Sequence, residues 1–255
     1  MSNLWEIYER LISGINPSVK VEKIVCGQIW SAVQNDNGGL GLAMTTAGDS
    51  IERVSINYSG MRLIDLAELI KSWNFYEASL GMAAINSYYN TYNRMIENGW
   101  KQPDKKYCTF DIDVKDKNIA MIGHMNHEEG LFNEANSFNI LEMNPHKGDY
   151  PSSACEFILP SCDIVIITGS AFINKTMPRL LELSKNALTI ITGPSTPMAK
   201  ELLNGTCISR LAGFIPENCE ELWNLITVGS CKSPYEFGYR FYIDKKWKKD
   251  TMKNK

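Results

Sequence analysis

The chain has 255 residues, 44% of them apolar and 22% charged, a balance that suits a folded globular protein and excludes a disordered or collagen-like one. Its net charge of −3 hides a split: residues 245–255 hold six lysines against Asp250, leaving 20 basic and 28 acidic groups elsewhere. A body of that sign repels a phosphate backbone, so no nucleic-acid partner is expected, and the basic tail reads as a solvated end or a tether.

The longest strongly apolar stretches, Ile164–Ile167 and Ala187–Ile191, fall far short of the ~20 residues that cross a bilayer. The opening MSNLWEIYER carries charges where an export signal has its apolar run. A soluble, cytoplasmic protein with no membrane partner is expected. The seven cysteines (26, 108, 155, 162, 207, 219 and 231) are scattered and never spaced as CxxC, which argues against a disulfide framework or a structural zinc site.

In chain order, residues 3–14 place Leu4, Ile7, Tyr8, Leu11 and Ile12 at helical spacing, and Asn16-Pro17 ends that helix. Val19–Val33 is extended and β-branched, and a turn at Asn35–Gly39 leads into Leu40–Thr46, a hairpin signal. A third strand is predicted near Val54–Tyr58, then helices over Arg62–Trp73 and Tyr76–Asn98. The first half is thus a small α+β unit.

Gly99–Lys117 interrupts the apolar pattern with Gly, Pro and charges, and the domain boundary is placed there, giving domains over 1–105 and 106–255. Beyond it, strands are predicted at Asn118–Ile122, Phe138–Met143, Asp163–Thr168 and Leu188–Thr192. Helices alternate with them at Ser152–Ile158, Met177–Lys185 and Met198–Asn204, with a loop or helix over 124–136. Such alternation implies a mainly parallel, Rossmann-like sheet with right-handed crossovers.

Ligands of open parallel sheets bind beyond the carboxyl ends of the strands, which directs attention to loops 123–130, 143–151, 169–176 and 193–197. Gly193-Pro194-Ser195-Thr196-Pro197 reads as a strand end opening a helix. A helix start offers free N–H groups to an anion, though plain capping explains the same residues. Thr176 reads as a helix N-cap, and Asn174 and Thr176 can bond a ligand or close their own turn. Glu142 ends a strand where nucleotide-binding folds carry a ribose acceptor, but the loop from Gly123 to Gly130 is not G-x-G-x-x-G. That loop holds His124 and His127. With Glu128, Glu129, Glu142, His146 and Asp149 they form a set of imidazoles and carboxylates of the kind that zinc, nickel, copper and iron accept. Asn86 interrupts an apolar helix face, so it is either structural glue or part of a pocket between the domains.

Together these motifs resemble the putative heavy-metal chelation family, a two-domain family of unknown function, over most of residues 5–215. The resemblance rests on Gly27-x-x-Trp30, Gly39–Ala43, Gly81–Asn86, Gly123-His124, Glu142-x-x-Pro145-x-x-Gly148-Asp149-x-Pro151, Leu159-Pro160, Asp163 with Thr168-Gly169, Asn174-x-Thr176, Gly193–Pro197 and Leu211–Gly213. It implies an α/β protein: a small α+β domain similar to the N-terminal domain of enolase, then a Rossmann-like domain similar to that of methyltransferases, with the site in the cleft between them. It also implies handling of metal ions or of metal-binding small molecules, in heavy-metal chelation or in condensation or hydrolysis of pterin-, flavin- or siderophore-like compounds. Met125-Asn126-His127 stands where the family carries an aromatic–proline pair, so His127 has no support from the resemblance.

The resulting expectation is a small anionic or metal-chelating ligand bound by Gly123, Glu142, Asp149, Thr168, Gly169, Asn174, Thr176 and the backbone of Gly193, Pro194, Ser195 and Thr196. Glu142 and Asp149 double as metal ligands, and a transition-metal ion is the candidate cofactor. His124 is the candidate general acid or base, because an imidazole titrates near neutrality. The alternatives are an S-adenosylmethionine-dependent methyltransferase-like enzyme with Glu142 on the ribose, and a non-catalytic metal sensor or carrier. Homo-oligomerisation is expected on its general frequency alone.

Overall fold

A computed structural model describes residues 3–46, 58, 60–97, 111–230 and 232–245. Helix α1 (Glu6–Ser13) buries Ile7, Tyr8, Leu11 and Ile12, the stripe that its helical spacing dictates. Strands β1 (Val21–Cys26), β2 (Trp30–Asn35) and β3 (Leu40–Met44) form an antiparallel sheet in that order. The long extended stretch therefore folds back on itself at Gly27 before the turn at Asn35–Gly39. The strand expected at Val54–Tyr58 lies outside the described residues except for Tyr58.

The helix expected over Arg62–Trp73 is α2 (Leu63–Ala67) continued by a 3-10 turn to Lys71. The one expected over Tyr76–Asn98 is interrupted. Helix α3 (Phe75–Tyr89), capped by the Asn74 side chain, ends at Asn90, and α4 (Tyr92–Glu97) follows. The break has a cause in packing. Asn90 has left helical geometry at φ −92° and ψ 57°. Its side chain donates to the carbonyls of Thr196 at 2.9 Å and Phe214 at 3.2 Å and accepts the Met198 amide at 2.8 Å. Three buried long-range bonds outweigh one more turn of helix.

The second half is a seven-stranded sheet built from β4 (Asn118–Ile122), β5 (Ser137–Glu142), β6 (Tyr150–Pro151), β7 (Ile164–Thr168), β8 (Leu188–Thr192), β9 (Ile208–Pro216) and β10 (Gly238–Asp244). The order is β10-β9-β8-β7-β4-β5-β6, and every pairing is parallel except β10 with β9. Short helices α5 (Cys155–Ile158) and α6 (Met177–Leu183) lie between strands, and α7 (Cys219–Thr227) precedes β10. The helix expected over Met198–Asn204 is only a 3-10 turn at Lys200–Leu203, and residues 124–136 form no helix.

Strand alternation sorts the sheet into two faces. Ala120, Val165, Ile167 and Ile191 face a core shared with Tyr8, Leu11, Leu66, Ala83 and Ala84 of the first half. Ile119, Met121, Ile164 and Ile166 face a smaller core closed by Phe132 and Phe138. The small sheet is covered twice, by α3 on one side and by Leu222, Leu225 and Ile226 of α7 on the other. Gly41 permits the first contact, since a Cβ there would lie 2.0 Å from the Ser87 nitrogen. Among the described residues no helix is long and apolar enough to cross a membrane.

Candidate metal and ligand site

At the centre of the large sheet the chain leaves β4 toward β5 on one side and β7 toward β8 on the other. This reversal is a topological switch point, the place where open parallel sheets put their ligands, beyond the carboxyl ends of the strands. The loops after β4, β5 and β7 converge there.

Gly123 turns the chain out of β4 at φ +91°, a left-handed geometry that favours glycine. The turn is held by Glu142 at the end of β5. Its Oε1 accepts the His124 amide at 3.0 Å and its Oε2 accepts the Met143 amide at 2.8 Å. The carboxylate that reads as a ribose or metal acceptor thus uses both oxygens to position two loops.

His124, positioned by that turn, meets Asp149 and His146 from the loop after β5. Its Nε2 lies 2.6 Å from Asp149 Oδ2, and the same oxygen accepts the His146 amide at 2.8 Å. The two imidazoles lie against each other with centroids 4.8 Å apart. One ligand atom from each of His124, His146 and Asp149 lies within 4.8 Å of the other two. The Asp149 side chain is only 6% exposed, whereas that of His124 is 40% exposed, so the acid sits beneath and the ring faces solvent. Burial opposes ionisation of Asp149, but the bonds from the His124 ring and the His146 amide and the charge of both imidazoles outweigh it. The carboxyl is held below its ordinary value. His127 is directed elsewhere, edge-on to Phe132 and Phe138 with its Nδ1 by the Glu128 carbonyl.

Across the switch point, Thr168 ends β7 and its hydroxyl accepts the Ser170 amide at 3.4 Å, capping a 3-10 turn. Gly169 is buried where two loops touch, and a Cβ there would lie 2.5 Å from the Thr196 nitrogen. Asn174 closes an Asx turn, its Oδ1 accepting from the Thr176 amide at 3.2 Å and from the Thr176 hydroxyl at 2.7 Å. Thr176 is therefore committed to Asn174 and makes no side-chain cap on α6. The Asn174 amide donates to Met143 Sδ at 3.3 Å, linking the loops after β5 and β7. Lys175, between Asn174 and Thr176 and absent from the expected set, takes a positive φ of 65°.

Residues 193–197 do not open a helix, so no ladder of free N–H groups forms there. Ser195 and Thr196 are instead buried at the junction of the two sheets. Ser195 Oγ accepts the Met44 amide at 2.9 Å, and the Thr196 carbonyl accepts from Asn90. Asn86 joins the same junction, donating to the Leu42 carbonyl at 2.7 Å. Cys155 and Cys162 are buried, and burial pushes each thiol up to about 11, which removes the thiolate character a redox pair needs.

A family model for DUF364, described as putative heavy-metal chelation, matches residues 109–243, and a model for DUF4213, with the same description, matches residues 8–89. The chain belongs to the DUF364 family. A DUF364 protein of unknown function from Desulfitobacterium hafniense superposes with a TM-score of 0.85 at 36% identity, over 94% of this chain and 98% of that one. Another, from Pyrococcus horikoshii, superposes with a TM-score of 0.78 at 26% identity, over 94% and 99%. An uncharacterised protein of Methanocaldococcus jannaschii is 30% identical over 70% of each chain. The α/β architecture is thus that of solved DUF364 proteins, and no relative among these carries a defined activity.

Sequence reasoning finds His124 and Asp149 directly from their positions at strand ends. His146 appears only within a wider set of loop imidazoles and acids. The signal that singles it out is the His146-x-x-Asp149 spacing, which lets the carboxylate accept the backbone amide of the third residue before it.

Proposed function

We propose that this protein binds a transition-metal ion through His124, His146 and Asp149 at the carboxyl edge of the parallel sheet. The observation that carries this reading is the convergence of three ligand atoms within 4.8 Å. Two imidazoles and one carboxylate are a donor set for iron, zinc, nickel or copper. A partly covered carboxylate already ionised below its ordinary value supplies the negative charge without a proton to displace. His124 then serves as a ligand rather than as an acid or base, and Glu142 serves to position it through its amide.

Three protein ligands leave the remaining coordination positions open. On the neighbouring loop after β7, Thr168, Asn174 and Thr176 carry neutral hydroxyl and amide groups, bonded to Ser170, to Met143 and to each other, that would exchange those bonds for bonds to a ligand. A small molecule with paired oxygen or nitrogen donors, of the pterin, flavin or siderophore kind, would complete the shell of the ion from that side. The ligand of the cleft is thus a metal chelate.

The test is native mass spectrometry with elemental analysis on protein purified without chelators. One equivalent of transition metal is expected in the wild type and none in His124→Ala or Asp149→Ala, with the circular-dichroism spectrum unchanged. Full metal content in both variants, or a wild type that takes up no metal on titration, would overturn the reading.

A further inference from the structure

Among the described residues two methionines leave their side chains largely in solvent, Met143 at 58% exposed and Met44 at 42%. A thioether chain is one that proteins normally bury, as this chain does with Met82, Met121 and Met198. Met143 begins the loop that carries His146 and Asp149. Its amide is held by Oε2 of Glu142, whose Oε1 holds the amide of His124. One carboxylate therefore sets residue 143 beside the residue that supplies the first imidazole.

The sulfur is turned toward the switch point. Strand β4 lies between β5 and β7. Met143, just beyond β5, brings its Sδ to 3.3 Å from the side-chain nitrogen of Asn174, in the loop after β7. The contact bridges the loops on the two sides of β4, the strand that delivers His124. A thioether is a weak acceptor, so a stronger partner displaces the Asn174 amide at little cost. Three rotatable bonds and an exposed position leave the sulfur free to turn to an ion held by the neighbouring imidazoles.

Ligand softness decides what a thioether does in that position. Imidazole suits zinc, iron, nickel and copper alike, and among these ions an uncharged thioether favours the softest, Cu(I). We infer, on the reading that His124, His146 and Asp149 hold a metal ion, that Met143 Sδ is a further, soft ligand and that the ion it selects is Cu(I). The sulfur exchanges the Asn174 amide for the ion and joins the two imidazoles around it. The ion is taken up as Cu(I), and nothing is oxidised or reduced. Met143 thus sets the preference of the site among metals, while His124, His146 and Asp149 set its capacity to bind one.

The test compares Cu(I), kept reduced by ascorbate under nitrogen, with Zn(II), each alone on the full chain. Accessible thiols are first blocked with N-ethylmaleimide, since thiolates also take Cu(I). Competition with chromophoric chelators reads the affinities. Met143→Leu, a swap of similar volume on an exposed side chain, is expected to weaken Cu(I) about tenfold or more and Zn(II) less than about twofold. X-ray absorption of the Cu(I) protein is expected to show a sulfur neighbour that Met143→Leu lacks. Met44→Leu, at the other exposed methionine, is expected to change neither affinity. Equal changes for the two metals in Met143→Leu would overturn the proposal and leave the His124 site standing. So would a Cu(I) loss as large in Met44→Leu, or a wild type that binds Zn(II) but no Cu(I). A wild type that takes up neither metal would overturn the reading of the site itself, and the role of Met143 with it.

Discussion

Thr168 fills the space that a side chain on residue 123 would need. A Cβ built on Gly123 would lie 3.1 Å from Thr168 Cγ2 and 3.3 Å from Thr168 Cβ, at a φ of +91°. The two central strands of the sheet thus press together where they end, and the chain must turn sharply toward His124. Gly123→Ala is expected to destabilise the fold by about 1–3 kcal/mol. It also moves the His124 amide off Glu142, so metal affinity is expected to fall about tenfold or more. Urea unfolding and calorimetric metal titration check the two effects separately. Unchanged affinity in the folded variant would show that this turn does not place His124.

Ser195 and Asn90 give a contrasting pair of predictions, because both hold the junction of the two halves and neither touches the His124, His146 and Asp149 cluster. Asn90→Ala strands the carbonyls of Thr196 and Phe214 and the Met198 amide, all buried. At roughly 1–3 kcal/mol for an unsatisfied group, and with incomplete additivity, the loss is about 3–5 kcal/mol. Ser195→Ala strands the Met44 amide alone, for about 1–2 kcal/mol. Thermal unfolding should show a drop of about 8–15 °C for the first and a few degrees for the second. Calorimetry on the folded variants should show wild-type metal affinity. A loss of ligand binding in Ser195→Ala without a loss of stability would support the ligand role that the sequence suggests.

What the sequence conveys and what it conceals follow from how local each determinant is. The β-branched runs at Ile164–Thr168 and Leu188–Thr192 are buried on both faces, and such strands announce themselves without reference to their partners. Residues 193–199 mislead because Gly, Ser, Thr and Pro carry the same local signal whether they start a helix or cross the junction of the two sheets. Only the distant Met44 amide and Asn90 decide between these outcomes. Asn90 is opaque for the same reason: nothing near it in sequence says that Thr196, Met198 and Phe214 await its side chain. The candidate metal triad is half legible. His124 follows the end of β4, but its approach to within 2.6 Å of Asp149, in the loop after β5, depends on Glu142 holding the intervening turn.

The acid limb of stability should report Asp149. Its carboxyl is held below its ordinary value in the fold by His124 and the His146 amide against the opposing effect of burial. A depressed carboxyl contributes stability that is present above the unfolded value, about 3.9, and is lost as pH falls through the folded one. In metal-free protein the stability difference between wild type and Asp149→Asn is therefore expected to shrink as pH falls from about 5 toward 3. Urea unfolding across that range measures it. A difference independent of pH would mean that the carboxylate gains nothing from its two imidazoles.

Lys175 carries the opposite sign. Its folded pKa of about 8 lies below the unfolded 10.5, so between those values the unfolded chain binds more protons and stability rises with pH. Below about pH 8 the fold carries the full cost of a half-buried ammonium. Allowing for its remaining exposure, that cost is on the order of 2 kcal/mol. Lys175→Met keeps the apolar stem against Phe75 and Trp73 without the charge. It is expected to exceed wild-type stability by that amount at neutral pH and to lose the advantage by about pH 10. Denaturant unfolding of both proteins at the two pH values decides the matter. A gap of equal size at both would show that the ammonium is solvated in the fold.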